Sequence, residues 1–161
     1  MRDYIDTNYL ILVSSDGKKT GLEILRDRIN KNRWPIYDKT PQLLNVEAGK
    51  NVIFYIAGSG EKKQCFVGTA RIKKKIYTEN DISDPNQEFR KVLFYTEFEN
   101  FKFFTKSIQI KDHIEKLDFI KNKEKYGLYF QGGVCKIDEN SHNYIINCSR
   151  QSICILKHFL F

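Results

Sequence analysis

The chain has 161 residues, 41% of them hydrophobic and 29% charged, enough for one contiguous core and an argument against a second independent domain. With 14% aromatic residues and three prolines, it can bury enough apolar surface to offset the entropy of ordering, which excludes a disordered polymer. Lys and Arg outnumber Asp and Glu 27 to 20, for a formal charge of +7 and a pI near 9.2, a balance that favours a polyanionic partner.

Two acids, Asp3 and Asp6, precede any apolar run, and the uncharged apolar stretch Tyr9–Val13 is far too short to span a bilayer, so neither secretion nor membrane anchoring is expected. Asn8–Ser14 is rich in strand formers and runs into the turn-like Ser14-Ser15-Asp16-Gly17, which predicts an opening buried strand. Thr20-Gly21-Leu22-Glu23 has capping-box spacing, and Leu22, Leu25 and Ile29 recur at helical intervals, so a short amphipathic helix follows. Lys31-Asn32-Arg33 ends it, and Trp34-Pro35-Ile36-Tyr37 reads as extended because proline disfavours helix in the residue before it.

Asn51–Ala57 and Gln64–Ile76 read as paired strands around the turn Gly58–Lys63. Glu79–Gln87 is polar, contains Pro85 and reads as a loop, followed by strands over Glu88–Phe98 and Phe101–Ile110. Ile114, Leu117 and Ile120, with Asp112 as a cap, predict a second helix over Asp112–Asn122. Residues 1–147 form the expected domain, and 148–161 an irregular apolar tail that packs on the domain or on a partner. The fold class is α+β: a curled, mostly antiparallel sheet or barrel with peripheral helices.

Cys65, Cys135, Cys148 and Cys154 form no C-x-x-C pair and read as reduced thiols of a cytoplasmic protein. His113, His142 and His158 are scattered, and Cys148, Cys154 and His158 are spaced unlike zinc sites, so no metal, cofactor or enzymatic activity is expected. Trp34, the only tryptophan, follows Arg33; the pair suits stacking a base while neutralising a phosphate, and equally a tryptophan capping the core. Tyr55, Tyr77, Tyr126 and Tyr129 divide the same way, while Ser14 and Ser15 offer hydroxyls to a base edge or simply turn the chain toward the helix. Lys18-Lys19, Lys73-Lys74-Lys75 and the run of Lys121, Lys123 and Lys125 serve as phosphate contacts if they share a face, and as solvated surface if they do not. Strand alternation places Lys73 and Lys75 opposite Lys74.

Five segments carry a family resemblance. They are Asn8-Tyr9-Leu10-Ile11-Leu12-Val13-Ser14-Ser15, the Trp34 segment, Gly49-Lys50-Asn51-Val52-Ile53-Phe54-Tyr55, Phe66-Val67-Gly68-Thr69-Ala70-Arg71-Ile72 with Tyr77, and Leu117 to Gly133 with its Phe119-Ile120-Lys121-Asn122-Lys123 stretch. In this order the chain resembles the EVE domains of the PUA-like class, with Tyr126 where tryptophan is usual. It departs in reading Trp34-Pro35-Ile36 for the usual Trp-Gly-Val, and Gly49-Lys50 for Gly-Asp.

The resemblance implies a PUA-like fold related to YTH and restriction-associated readers, which hold a flipped modified base in an aromatic pocket. Carried onto this sequence, the pocket is expected at Ser14, Ser15, Trp34, Pro35, Ile36, Tyr55, Tyr77 and Tyr126. Phosphates are expected at Lys18, Lys19, Arg33, Arg71, Lys73, Lys75, Lys121, Lys123 and Lys125. The expected partner is nucleic acid, DNA or RNA, carrying a modified base, with any cutting or modifying enzyme a separate protein. The rival readings are a small-molecule or nucleotide-binding domain, and a protein-interaction module of a restriction or RNA-modification complex docking through the tail.

Overall fold

The computed structural model describes residues 8–159, without the side chains of 79–81, 88–89 and 152–159. The described residues include six strands: β1 (Tyr9–Ser14), β2 (Trp34–Tyr37), β3 (Asn51–Ile56), β4 (Cys65–Asp84), β5 (Gln87–Gln109) and β6 (Val134–Lys136). They form one sheet in the order β2-β5-β4-β3-β1-β6. Only the β1–β3 pairing is parallel, and the sheet curls into a mostly antiparallel half-barrel with its helices outside. Parallel neighbours need a crossover, and helix α1 (Gly21–Lys31) with β2 lies in that connection.

The near-continuous apolar runs of β1 and β3 follow from burial on both faces. Leu10, Leu12, Val52, Phe54 and Ile56 pack with Leu22, Leu25, Trp34 and Ile36 on one face. The alternate residues Ile11, Val13, Ile53 and Tyr55 pack with Ile110, Leu117, Ile120 and Phe130 on the other, as a period of two requires.

The capping box forms as expected. The Thr20 side chain accepts from the Glu23 N–H, and the Glu23 carboxylate accepts from the Thr20 N–H at 3.0 Å. The Thr20 N–H and the Thr20 hydroxyl, both donating to it, hold the Glu23 carboxyl below its usual range. Asn32 closes the helix in the left-handed region. Thr20→Ala should cost about 1 kcal/mol of stability, read as a lower urea midpoint at unchanged m-value.

Three expectations need correction. Glu79–Gln87 is not a loop: β4 continues to Asp84 and β5 starts at Gln87, leaving only Pro85 and Asn86 as the turn. Backbone ladder bonds hold this arm, so the polar composition that reads as loop says little about its conformation. The two strands expected after it are one, which passes Asn100 at a φ of 57°, a left-handed excursion that asparagine tolerates. Asp112–Asn122 is not an α-helix but a succession of 3-10 turns, Ile110–Asp112 and Ile114–Lys116, extended by i→i+3 bonds to Leu117 and Ile120. A strict spacing of three matches three residues per turn better than 3.6.

A second α-helix, α2, spans Glu139–Phe159 and so includes residues read from sequence as the start of an irregular tail. Whether the tail's apolar side chains pack on the domain or a partner lies outside the described residues. No helix of the described residues is long and apolar enough to cross a membrane.

Candidate functional site

The tip of the β4–β5 hairpin folds back onto the loop between β1 and α1. The Asn86 carbonyl accepts from the Lys18 N–H at 3.2 Å, and a Cβ at Gly17 would collide with that same carbonyl, so only glycine allows this approach. The tip is also pinned from below. Arg28, on the buried face of α1, donates from Nη2 to Asp84 Oδ2 at 3.0 Å and to the Tyr37 hydroxyl at 3.1 Å. The Tyr37 hydroxyl also pairs with Asp84, and burial pushes its ionisation well above the usual range. Arg28 and Asp84 are 6% and 2% exposed, a buried ion pair in which each charge depends on the other.

Trp34 lies directly over Arg28, whose guanidinium carbon is 4.8 Å from the ring centroid. Its indole packs against Phe54 at 5.1 Å and Phe98 at 6.2 Å and is 2% exposed. Together Ser15, Arg28, Trp34–Tyr37, Gln87, Arg90, Phe130 and Gly133 surround a narrow cleft of about 20 Å³, room for roughly one water. The cleft shares Tyr37, Thr40, Arg90 and Gln131 with an open basin of about 680 Å³, also lined by Asp38, Lys39, Pro41, Lys91 and Gly132. The basin is within the size range of ligand pockets. Gly132 is packed so closely that an added Cβ would stand 2.5 Å from Pro41 Cγ.

Two residues that line the cleft each have a buried polar atom with no partner among the described residues: Gln87 Oε1 and Arg28 Nε. Gln87 is 5% exposed, and its Nε2 donates to Ser15 Oγ at 3.4 Å. No group of three or more metal-ligating side chains occurs among the described residues.

Of the residues expected at the pocket, Ser15, Trp34, Pro35 and Ile36 meet at the cleft. Ser14 is buried beside it and donates its hydroxyl to the Gly21 carbonyl at 2.6 Å. Tyr55 is on the sheet face opposite Trp34, behind the cleft wall, stacked at 4.0 Å on Phe130, which lines the cleft, its ionisation raised by burial. Tyr126 donates to Gln64 Oε1 at 3.0 Å, and Tyr77 is exposed on the hairpin arm beside Phe94 and Lys75.

The expected phosphate contacts also scatter. Lys18 and Lys19 are exposed beside the hairpin tip, and Arg33 lines a neighbouring groove with its guanidinium over Tyr95. Arg71 is 3.7 Å from Glu99 and Lys75 is 2.8 Å from Glu47. Lys73, Lys121 and Lys125 are exposed, while Lys123 donates to the Ile114 and Leu117 carbonyls at 3.0 and 2.8 Å and so caps the 3-10 turns.

Arg28, Tyr37, Gln87, Arg90 and the basin lysines were not found from sequence. Arg28 had a signal: it is three residues after Leu25 on the buried face of α1, where a charge needs a partner. Gln87 had none, since a lone glutamine in a polar stretch is unremarkable.

A family model described as EVE domain matches residues 9–148, and the chain belongs to that family. Its fold is similar to that of a hypothetical protein from Leishmania major, at 13% identity over 89% of this chain and 95% of that one, with a TM-score of 0.55. Protein Atu2648 from Agrobacterium tumefaciens is similar at 12% identity, 88% and 92% coverage and a TM-score of 0.54. Human THYN1, solved in complex with DNA containing 5-methylcytosine, is similar at 10% identity, 88% and 96% coverage and a TM-score of 0.52. No curated protein matches the chain in sequence.

Proposed function

We propose that this chain reads a modified base in nucleic acid, most directly DNA, by holding the base extruded in the cleft beside Trp34. The observation that carries this reading is the cleft itself. It is aromatic and proline-walled, is lined by residues with unpartnered buried polar atoms, and adjoins a basin bearing Lys39, Arg90 and Lys91 beside the single acid Asp38. Cationic side chains at the rim position the phosphates, and the inner wall inspects the base. The DNA with 5-methylcytosine bound by THYN1, which shares this fold, is a ligand of the class proposed.

Extruding a base costs a few kcal/mol, recovered through stacking and edge hydrogen bonds. The cleft's volume of about 20 Å³ cannot contain a base, so binding must draw Gln131 aside and merge cleft with basin. The reading assigns the chain no bond-breaking chemistry. Any cleavage that follows recognition belongs to a separate nuclease or modification enzyme.

The test is binding of matched DNA and RNA oligonucleotides, with and without 5-methyl and 5-hydroxymethyl groups, at two salt concentrations. Burial of one methyl contributes about 0.8 kcal/mol, so a preference of at least roughly fourfold for the modified oligonucleotide is expected. Affinity should fall steeply with salt, and less steeply once Lys39 and Lys91 are replaced by glutamine. Equal affinity for every base would defeat the proposal, and tight salt-independent binding of a free nucleotide would favour a small-molecule site.

A further inference from the structure

Gln87 is the first residue after the two-residue turn and pairs across the hairpin with Asp84. Arg28 and Tyr37 hold Asp84 from one side, the β1–α1 loop holds Asn86 from the other, and Ser15 receives the Gln87 amide nitrogen. The anchored tip places the side chain at the cleft, with its carbonyl oxygen Oε1 out of contact with solvent and without a partner among the described residues. A buried acceptor left unmade is costly, and such an atom in a folded protein calls for a reason. A ligand that completes it supplies one.

We propose that Gln87 is the specificity-determining residue of this cleft, accepting a hydrogen bond from an exocyclic amine, so that aminated bases are selected over keto bases. The inference rests on the reading that a base enters the cleft with its sugar outside. A base inserted that way leads with the ring position farthest from its glycosidic bond, C4 of a pyrimidine or C6 of a purine. An amine there, as in cytosine and adenine, donates to Gln87 Oε1. A carbonyl there, as in thymine, uracil and guanine, would oppose lone pair to lone pair.

The adjacent ring nitrogen makes a second distinction. In cytosine and adenine it is an acceptor, suited to the unpartnered N–H of Arg28 Nε or the Ser15 hydroxyl. In thymine, uracil and guanine it carries hydrogen, and donor would face donor. Two reversed contacts in a buried site discriminate far more strongly than a missing methyl does.

The test uses three oligonucleotides that differ at one pyrimidine placed opposite an abasic site, so that pairing strength does not enter. The pyrimidine is 5-methylcytosine, 5-methyl-2-pyrimidinone, which lacks the amine, or thymine, which carries a carbonyl instead. The wild-type chain should bind the first roughly tenfold or more tightly than either of the others. Gln87→Leu should erase the preference for 5-methylcytosine over the pyrimidinone. Deleting the amine from the ligand requires no variant, so a poorly folding Gln87→Leu protein would not obscure the result. Wild-type affinity indifferent to the amine, or higher for thymine, would overturn the role of Gln87, and an unmethylated cytosine oligonucleotide run beside the three would show the reader function standing if the 5-methyl preference survived. Wild-type binding blind to every base change would overturn both.

Discussion

Trp34→Ala should destabilise the domain by about 3–5 kcal/mol, so that lost binding in this variant would report unfolding as much as a lost ligand contact. The indole is 2% exposed and packs against Phe54 and Phe98, and its removal leaves a cavity that strand β2 and the central sheet cannot readily close. It also strips the aromatic face from the Arg28 guanidinium, a buried cation for which that face is part of the environment. Domains of this kind are stable by roughly 5–15 kcal/mol, so a substantial fraction of the variant should unfold under mild denaturant. Urea titration gives the measurement, and Trp34→Phe separates the roles by restoring much of the packing while shrinking the surface offered to a base. A cost below about 1 kcal/mol for the alanine variant would mean that the indole is not integral to the core.

The sequence distinguishes some of this architecture clearly because local and tertiary preferences coincide there. Thr20 and Glu23 are a capping box whether or not the rest of the fold exists, and β1 and β3 are apolar because both of their faces are covered. The hairpin arm is the reverse case. Its outer half on β4 is polar and held by ladder bonds to β5, the neighbour whose apolar residues are legible as a strand. At Ile114, Leu117 and Ile120, apolar spacing correctly marks the inward face, with Leu117 and Ile120 fully buried, but not the turn geometry.

The candidate site follows the same division. The Trp34 segment is visible through its single tryptophan and its family resemblance, and Ser15 through its place at the end of β1. Gln87 reaches the cleft only because a hairpin delivers it, and no local pattern anticipates a contact between residues 72 positions apart such as Gln87 and Ser15. Lys123 illustrates the opposite failure, since a lysine in a basic run reads as a phosphate contact until its ammonium is found on two backbone carbonyls.

Asp84→Ala should cost about 3–5 kcal/mol, because it leaves Arg28 buried at 6% exposure with no carboxylate to balance it. The same change frees the Tyr37 hydroxyl and the Asn86 N–H, which Asp84 Oδ1 accepts at 2.9 Å, so the hairpin tip loses its turn as well as its anchor. Two effects are therefore expected, reduced stability and loss of base discrimination as Gln87 leaves its fixed position, and they can be separated. Replacing both charges with apolar residues, Arg28→Met with Asp84→Leu, removes the uncompensated ion, and such exchanges are often neutral or stabilising. The double variant should recover most of the unfolding free energy in urea, a strongly non-additive result for residues in direct contact. It should not recover discrimination between 5-methylcytosine and thymine, because the leucine cannot accept the Asn86 N–H and the methionine offers no N–H to the ring nitrogen. If the double variant regained both, the ion pair would be a stabilising element only, and the position of Gln87 would owe nothing to Asp84.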